Sequence, residues 1–237
     1  MRKKLIHQIK EHLKQSYSAI AHEFDQTRKE PWEEFHHFLA YTKHGGNILD
    51  LGCGNGRMYD FLKQKEVNYL GVDNNSNLLE CARNNFPEAR FQLDDMSDMH
   101  FPQEAFDNVF CIAAFHHIPG KKIRKEVIQS IHGSLKTDGI LILTVWNLFQ
   151  LKNIWKFLKM LGLWLLHLGL KQEWNDLWVK WGNYPIKRYY HAFLPKELIR
   201  YFSSDKWEVE EFYFTRKGNR VSFLRSFNIV LIARKIE

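Results

Sequence analysis

Cysteine is scarce: three residues in 237, Cys53, Cys81 and Cys111, none of them in a Cys-x-x-Cys pair. An odd, dispersed set excludes a disulfide framework and a zinc knuckle, so no metal site is expected and a reducing, cytoplasmic setting is. Proline is also sparse, and no Pro/Gly/Ser-rich linker divides the chain, which predicts a single domain over residues 1–237. Long apolar runs are missing as well. The most apolar stretch, 154–170, falls short of the ~20 residues a membrane span needs and contains Lys156 and Lys159. The basic start Arg2-Lys3-Lys4 leads into Lys10, Glu11 and Lys14, which interrupt what would be the apolar core of an export signal. What is present is ordinary core material: 45% hydrophobic and 26% charged residues, too rich in core formers for a disordered tail.

The formal charge is +7 and unevenly placed. Residues 1–120 hold 13 Lys+Arg against 17 Asp+Glu, while residues 121–237 hold 21 against 10. A polyanion would meet the second half, where Lys121, Lys122, Arg124 and Lys125, then Lys152, Lys156 and Lys159, then Arg216, Lys217 and Arg220 form basic clusters.

From Asn47 onward, short apolar runs alternate with helix-like stretches, the pattern of a parallel sheet covered on both faces. Strands are expected at 47–51, 68–73, 89–94, 106–114 and 139–146, with a C-terminal antiparallel pair at 207–214 and 227–235 around the basic turn 216–220. The fold expected is therefore α/β: a Rossmann-like, seven-stranded, mostly parallel sheet with helices on both faces and an antiparallel C-terminal hairpin. A helical appendage over 1–44 precedes it, with helices at 3–24 and 31–42. A Trp/Leu-rich helical insertion over 148–190 follows strand five, either packed over the sheet edge or active site, or lying as an amphipathic helix at a membrane surface.

The segment Asn47-Ile48-Leu49-Asp50-Leu51-Gly52-Cys53-Gly54-Asn55-Gly56-Arg57 runs a strand into three alternate glycines and then a helix. It fits neither Gly-x-Gly-x-x-Gly nor the P-loop pattern, because the third glycine falls at Gly56. This turn resembles motif I of the class I S-adenosylmethionine-dependent methyltransferases, and the resemblance continues through the sheet. It implies S-adenosylmethionine as cofactor. Asp50 would help position the methionine ammonium, and the Gly52, Gly54 and Asn55 backbone would pass close to the ligand. Asp73 with Asn74 would take the ribose hydroxyls, a carboxylate being the natural double acceptor. Asp95 and Met96 would hold the adenine. All three acids stand at the carboxyl ends of successive strands, where open parallel sheets bind ligands.

Two further patches, Tyr17 to Arg28 with Pro31-Trp32, and Lys187-Arg188-Tyr189-Tyr190-His191-Ala192-Phe193, join Phe115-His116-His117-Ile118 and Val145 to Gln150. Together they are similar to the tRNA wobble-uridine carboxymethyl methyltransferases. That family esterifies the carboxylate of 5-carboxymethyluridine in the anticodon loop, and its eukaryotic members work with a small zinc-binding activator. The resemblance implies a tRNA anticodon stem-loop as partner and an activator subunit as a further one.

A carboxylate with a reference pKa near ~4 is already ionised at neutral pH, so its methylation needs alignment rather than a general base. Arg28, Arg57, Arg188 and His191 are the candidate cationic donors, Arg188 first because guanidinium grips a carboxylate bidentately. Tyr190 and Tyr189 are candidates for stacking on an unpaired base, one of the two being expected in the core. The methyltransferase resemblance implies that His116 and His117 shape the cofactor pocket; they would act as bases only for a hydroxyl acceptor. The alternative activity is accordingly a small-molecule O- or N-methyltransferase of the quinone or secondary-metabolite kind, with the insertion supplying an apolar pocket.

Overall fold

The computed structural model describes residues 1, 3–28, 32–98, 101–150, 172–182 and 184–236, together with Trp155, Leu158, Leu161, Gly162 and Leu165, which are helical. Most of the apolar 154–170 stretch, Lys152, Lys156 and Lys159 included, lies outside the described residues, as does Pro31.

Five parallel strands carry the front of the main sheet: β1 (Asn47–Leu51), β2 (Asn68–Asp73), β3 (Arg90–Leu93), β4 (Phe106–Ile112) and β5 (Leu135–Trp146). Helices α3 (Arg57–Leu62), α4 (Ser76–Asn85) and α5 (Lys121–Ser134) make the crossovers that parallel neighbours require. Beyond β5 the sheet turns antiparallel with β10 (Asn228–Lys235), then β8 (Trp207–Arg216) and the two-residue β9 (Asn219–Arg220), giving the order β3-β2-β1-β4-β5-β10-β8-β9. Central strands read as near-continuous apolar runs because both faces are covered: seven of the eight residues of β10 are buried. The outermost β3 is short and mostly exposed, as an edge strand should be. The chain leaves β1 towards β2 and β3, then returns to β4 on the other side of β1. That reversal opens a crevice at the carboxyl ends of β1 and β4.

Helix α1 (Lys3–Thr27) buries Ile9, Leu13, Ser16 and Ile20, an i, i+4, i+7, i+11 stripe, and packs on α4 and on β7 (Lys187–His191). It therefore roofs the crevice. The second expected helix reduces to α2 (Phe35–Phe38) and a 3₁₀ turn at Leu39–Tyr41. Phe35 and Phe38 from that turn lie in the same apolar cluster as Ile48 of β1 and Phe61 of α3.

The structure corrects the sequence-based expectation at two points. The main sheet has eight strands rather than seven, because Asn219–Arg220 of the basic turn pairs back on β8. The second half of the 148–190 segment is not helical: β6 (Asp176–Lys180) pairs antiparallel with β7 as a separate hairpin. Its period is two: Tyr189 joins Ile9 and Leu13 of α1, while Tyr190 joins Leu148, Leu177 and Ala192 on the other face. Aromatic residues that suggest a helix by density are the cross-strand stuffing of a β-hairpin.

Candidate functional site

One cavity at the crevice is lined by the glycine-rich turn, the ends of β1, β2 and β4, the loop after β3, helix α1 and the β6–β7 hairpin. Of the residues expected from the sequence, Asp50, Gly52, Gly54, Asn55, Asp73, Asn74, Asp95, Met96, Arg28 and Arg188 all line it.

The turn after β1 is held by Gly52 N–H and Cys53 N–H donating to the Val72 carbonyl at 2.8 and 3.1 Å. Gly52 has φ +75°, and a Cβ there would stand 2.4 Å from the Ala114 Cβ, so no other residue lets the backbone pass. Gly56, φ +79°, would meet the Phe91 ring at 2.9 Å. At Gly52 and Gly54 the turn thereby presents backbone to the cavity, with the Asn55 side chain beside it.

Three carboxylates follow, each differently supported. Asp50 is buried and accepts from the Tyr69 hydroxyl at 2.7 Å; burial pushes its pKa up to about 7 despite that bond. Asp73 accepts from Gly54 N–H and Asn75 N–H, both at 2.9 Å, and burial lifts it to about 6. Asp95 is desolvated too, but bonds from Ser97 and a 2.9 Å ion pair with Lys10 outweigh burial and hold it below the usual carboxylate range. Asn55 donates to Asp25 at 3.0 Å and leaves its buried Oδ1 without a donor.

The opposite wall is cationic and aromatic. The Arg188 guanidinium lies over Trp181 (4.4 Å), Tyr190 (5.2 Å), Tyr17 (5.3 Å) and Trp146 (5.6 Å), donates to the Tyr17 hydroxyl at 3.0 Å, and has a buried Nε with no partner. Arg28 sits over Trp181 (4.7 Å) and Phe24 (5.4 Å). Arg57 sits over Trp32 (4.4 Å) with its buried Nη1 unpartnered. Burial, then the Arg188 charge, lowers the pKa of Arg28; burial, then the Arg28 charge, lowers that of Arg57 to about 10. Three guanidiniums, the Arg28 charge repelling both of the others, thus line the cavity with no carboxylate in ion-pair distance among the described residues, Asp50 and Glu34 acting on Arg57 from further off.

Tyr17, to which the sequence assigns no role of its own, and His117, expected to shape the cofactor pocket, orient that wall instead. The His117 Nδ1 donates to the Tyr189 carbonyl at 2.7 Å, which leaves Nε2 to accept from the Tyr17 hydroxyl at 2.7 Å. Burial, then the Arg188 charge, pushes the His117 pKa down to about 3, and His116, fully buried, is pushed well below its ordinary value. Both rings are neutral. The spacing Tyr17…His117…Arg188 gives no sequence signal, because three separate elements bring them together.

His191 and Tyr190 are corrected. His191 is fully buried away from the cavity, its Nδ1 facing Asp176 at 2.8 Å and its Nε2 facing Glu197 at 2.7 Å. Desolvation opposes its charge, but these two carboxylates win and raise its pKa, favouring the charged ring that ties the hairpin to the short helix Pro195–Ile199. Glu173, Asp176 and His191 bring ligand-type atoms within 4.8 Å of one another. Arg124 and the Tyr189 hydroxyl already bond Glu173 and Asp176, each at 2.7 Å, so the group reads as an ion-pair network. Arg124, counted among the basic clusters, is itself fully buried there. Tyr190 is also fully buried, stacked on Trp146 and His116, so neither it nor Tyr189 is free to stack on a base.

Residues 48–139 match the family profile described as "Methyltransferase domain". The fold agrees. A solved S-adenosylmethionine-dependent methyltransferase from Methanosarcina mazei superposes with TM-score 0.68 at 23% identity, covering 84% of this chain and 97% of that one. A putative methyltransferase solved in complex with the Trm112 activator of Haloferax volcanii does so with TM-score 0.65 at 17% identity, covering 93% and 98%. Residues 48–139 thus match the profile of a methyltransferase domain, within a chain whose fold is that of these solved S-adenosylmethionine-dependent methyltransferases.

Among curated relatives, the tRNA (carboxymethyluridine(34)-5-O)-methyltransferase of Saccharomyces cerevisiae is 31% identical over 140 residues, 59% of this chain and 50% of that protein. The alkbh8 protein of the same description from Xenopus tropicalis is 34% identical over 152 residues, 63% of this chain and 24% of that protein. The chain spans half or less of the length of these relatives.

Proposed function

We propose that the protein is an S-adenosylmethionine-dependent methyltransferase that esterifies the carboxylate of a 5-carboxymethyl wobble uridine in tRNA. The observation that carries this reading is the trio Arg28, Arg57 and Arg188, lining the same cavity as Asp50, Asp73 and Asp95 with none of the three in ion-pair distance of a carboxylate among the described residues. The residues present fit the cofactor: Asp50 and the unpartnered Asn55 Oδ1 offer acceptors to an ammonium group, Asp73 to ribose hydroxyls and Asp95 to the adenine amino group, while Met96 offers an apolar contact to the ring. When bound, S-adenosylmethionine supplies an electrophilic methyl group on sulfonium.

The chain's own residues then do three things. Arg188, held by Tyr17 and flanked by Arg28, takes the acceptor's carboxylate and fixes its direction of approach. Trp146, Trp181 and Phe24 exclude water and strengthen that charge pairing. His117 holds its tautomer and moves no proton, since a ring pushed to about 3 is a poor base at neutral pH. This last point separates the two acceptor classes: a phenol or alcohol needs a base beside the methyl group, and an ionised carboxylate does not. It sets the small-molecule hydroxyl reading below the carboxylate one. The sequence likeness to the yeast and Xenopus enzymes and the basic second half of the chain support tRNA as the carrier of that carboxylate. An activator subunit is proposed on the likeness to the Haloferax complex.

The experiment is methyl transfer from labelled cofactor to tRNA bearing unesterified 5-carboxymethyluridine, with nucleoside analysis and Arg188→Ala as control. Label in the wobble methyl ester, lost in the control, is the expected result. Label on no nucleoside, with and without added activator and despite demonstrated cofactor binding, overturns the tRNA reading.

A further inference from the structure

The β6–β7 hairpin pairs Lys180 directly with Lys187, and both side chains are exposed. Like charges facing each other across a strand pair destabilise it, and an acid at either position would have supplied a cross-strand ion pair. Neither lysine has an acidic partner in ion-pair distance among the described residues. The chain neighbours of both, Trp181 and Arg188, line the cavity. Successive strand residues point to opposite faces, so β7 sends Arg188 to the cavity and Lys187 to the other face of the hairpin, exposed and next in the chain to a cavity residue. The hairpin is not free to relieve the repulsion by sliding. The Lys187 carbonyl accepts from His12 at 2.8 Å and from Ser16 at 3.3 Å, and Trp181 N–H closes the turn on Ile186 at 3.1 Å. His12 is exposed beside them and packs edge-on against Trp178 at 4.9 Å.

We infer that Lys180 and Lys187 are a phosphate-binding pair that seats the backbone of the nucleic acid next to the nucleotide being methylated. This rests on the proposed tRNA reading and assigns it a contact outside the cavity. The chemistry is that of a polyanion with closely spaced monoanionic groups: two ammonium groups carried on facing positions of a held hairpin lose their mutual repulsion when consecutive phosphates come between them. One strand thus addresses two anions of the same substrate, the reacting carboxylate through Arg188 and the adjoining backbone through Lys187.

The test uses the full chain, a fluorescent anticodon stem-loop RNA and a potassium chloride titration, comparing wild type with Lys180→Gln/Lys187→Gln and with Lys180→Arg/Lys187→Arg. The expected result is about tenfold weaker RNA binding for the Gln pair at moderate salt, and a log-log salt slope smaller by about two. The Arg pair should bind as wild type. In parallel, methyl transfer to the free nucleoside 5-carboxymethyluridine should keep its KM in the Gln pair while the KM for tRNA rises. Equal RNA affinity and salt slope for wild type and the Gln pair overturns the inference and leaves the tRNA reading standing. Weakened RNA binding by the Gln pair, with no methyl transfer to tRNA or nucleoside by wild type, supports the phosphate contact and overturns the reaction instead.

Discussion

The two walls of the cavity are built in opposite ways. The acidic wall comes from strand ends and the turns directly after them, so Asp50, Asp73 and Asp95 reach it through the sheet's own register. The cationic wall is assembled from the end of α1, the start of α3 and a hairpin strand more than a hundred residues downstream, cross-braced by Tyr17, His117 and stacked aromatics. A sheet fixes the position of a strand end cheaply, because parallel pairing leaves it no freedom. A guanidinium needs a cage. The lesson is that the proposed cofactor wall can follow from topology alone, whereas the proposed acceptor wall needs packing particular to the chain.

Breaking the cationic wall should give the largest effect. Arg188→Ala is expected to lower kcat/KM for the carboxylate acceptor by about 100-fold, and Arg188→Lys by about tenfold, since an ammonium keeps the charge but loses the two-pronged grip. Steady-state kinetics on both variants checks this; equal losses for Ala and Lys would mean that geometry, not charge, does the holding. Breaking the acidic wall should act on a different step. Asp73→Asn removes charge-assisted bonds from Gly54 and Asn75 and is expected to weaken cofactor binding by about 30-fold, read by calorimetry.

The acidic wall also titrates in the working range. An acid lifted to about 7 is largely protonated at pH 6, and an ammonium group favours its ionised form. Cofactor affinity should therefore rise with pH below about 7, by up to tenfold per unit, with a proton released on binding, and level off above. Calorimetry in buffers of different ionisation enthalpy measures that proton directly; a flat profile would remove Asp50 from the ammonium. The smallest effect belongs to the brace. His191 has a folded pKa above its unfolded one, so its ion pairs stabilise fully below the unfolded value near 6.5 and fade as pH rises through the folded one. His191→Gln should lower Tm at pH 6, and the gap to wild type should narrow as the pH is raised past the His191 value.

The same contrast explains what the sequence made legible. Each of the five parallel strands and the glycine-rich turn could be read, because alternating apolar runs and a forced positive φ are local signals. The three acids followed from their places after those strands. The β6–β7 hairpin was hidden in Trp/Leu-rich sequence, where period two competes with sheer apolar density. His191 and Tyr190 were drawn into the acceptor site by their nearness to Arg188 in sequence. In a strand that nearness means little: position 188 faces the cavity, 190 stacks on Trp146 and 191 is locked between Asp176 and Glu197. Tyr17 and His117 became recognisable as a brace only once α1, the turn after β4 and β7 were in contact.

The separability of the two walls is the central claim, and parallel calorimetry tests it most directly: S-adenosylmethionine binding to wild type, Asp73→Asn and Arg188→Ala. Cofactor affinity within about twofold of wild type for Arg188→Ala, beside a loss of about 30-fold for Asp73→Asn, is the predicted result. A loss beyond about tenfold in Arg188→Ala would place that guanidinium on the cofactor and contradict the division of the site.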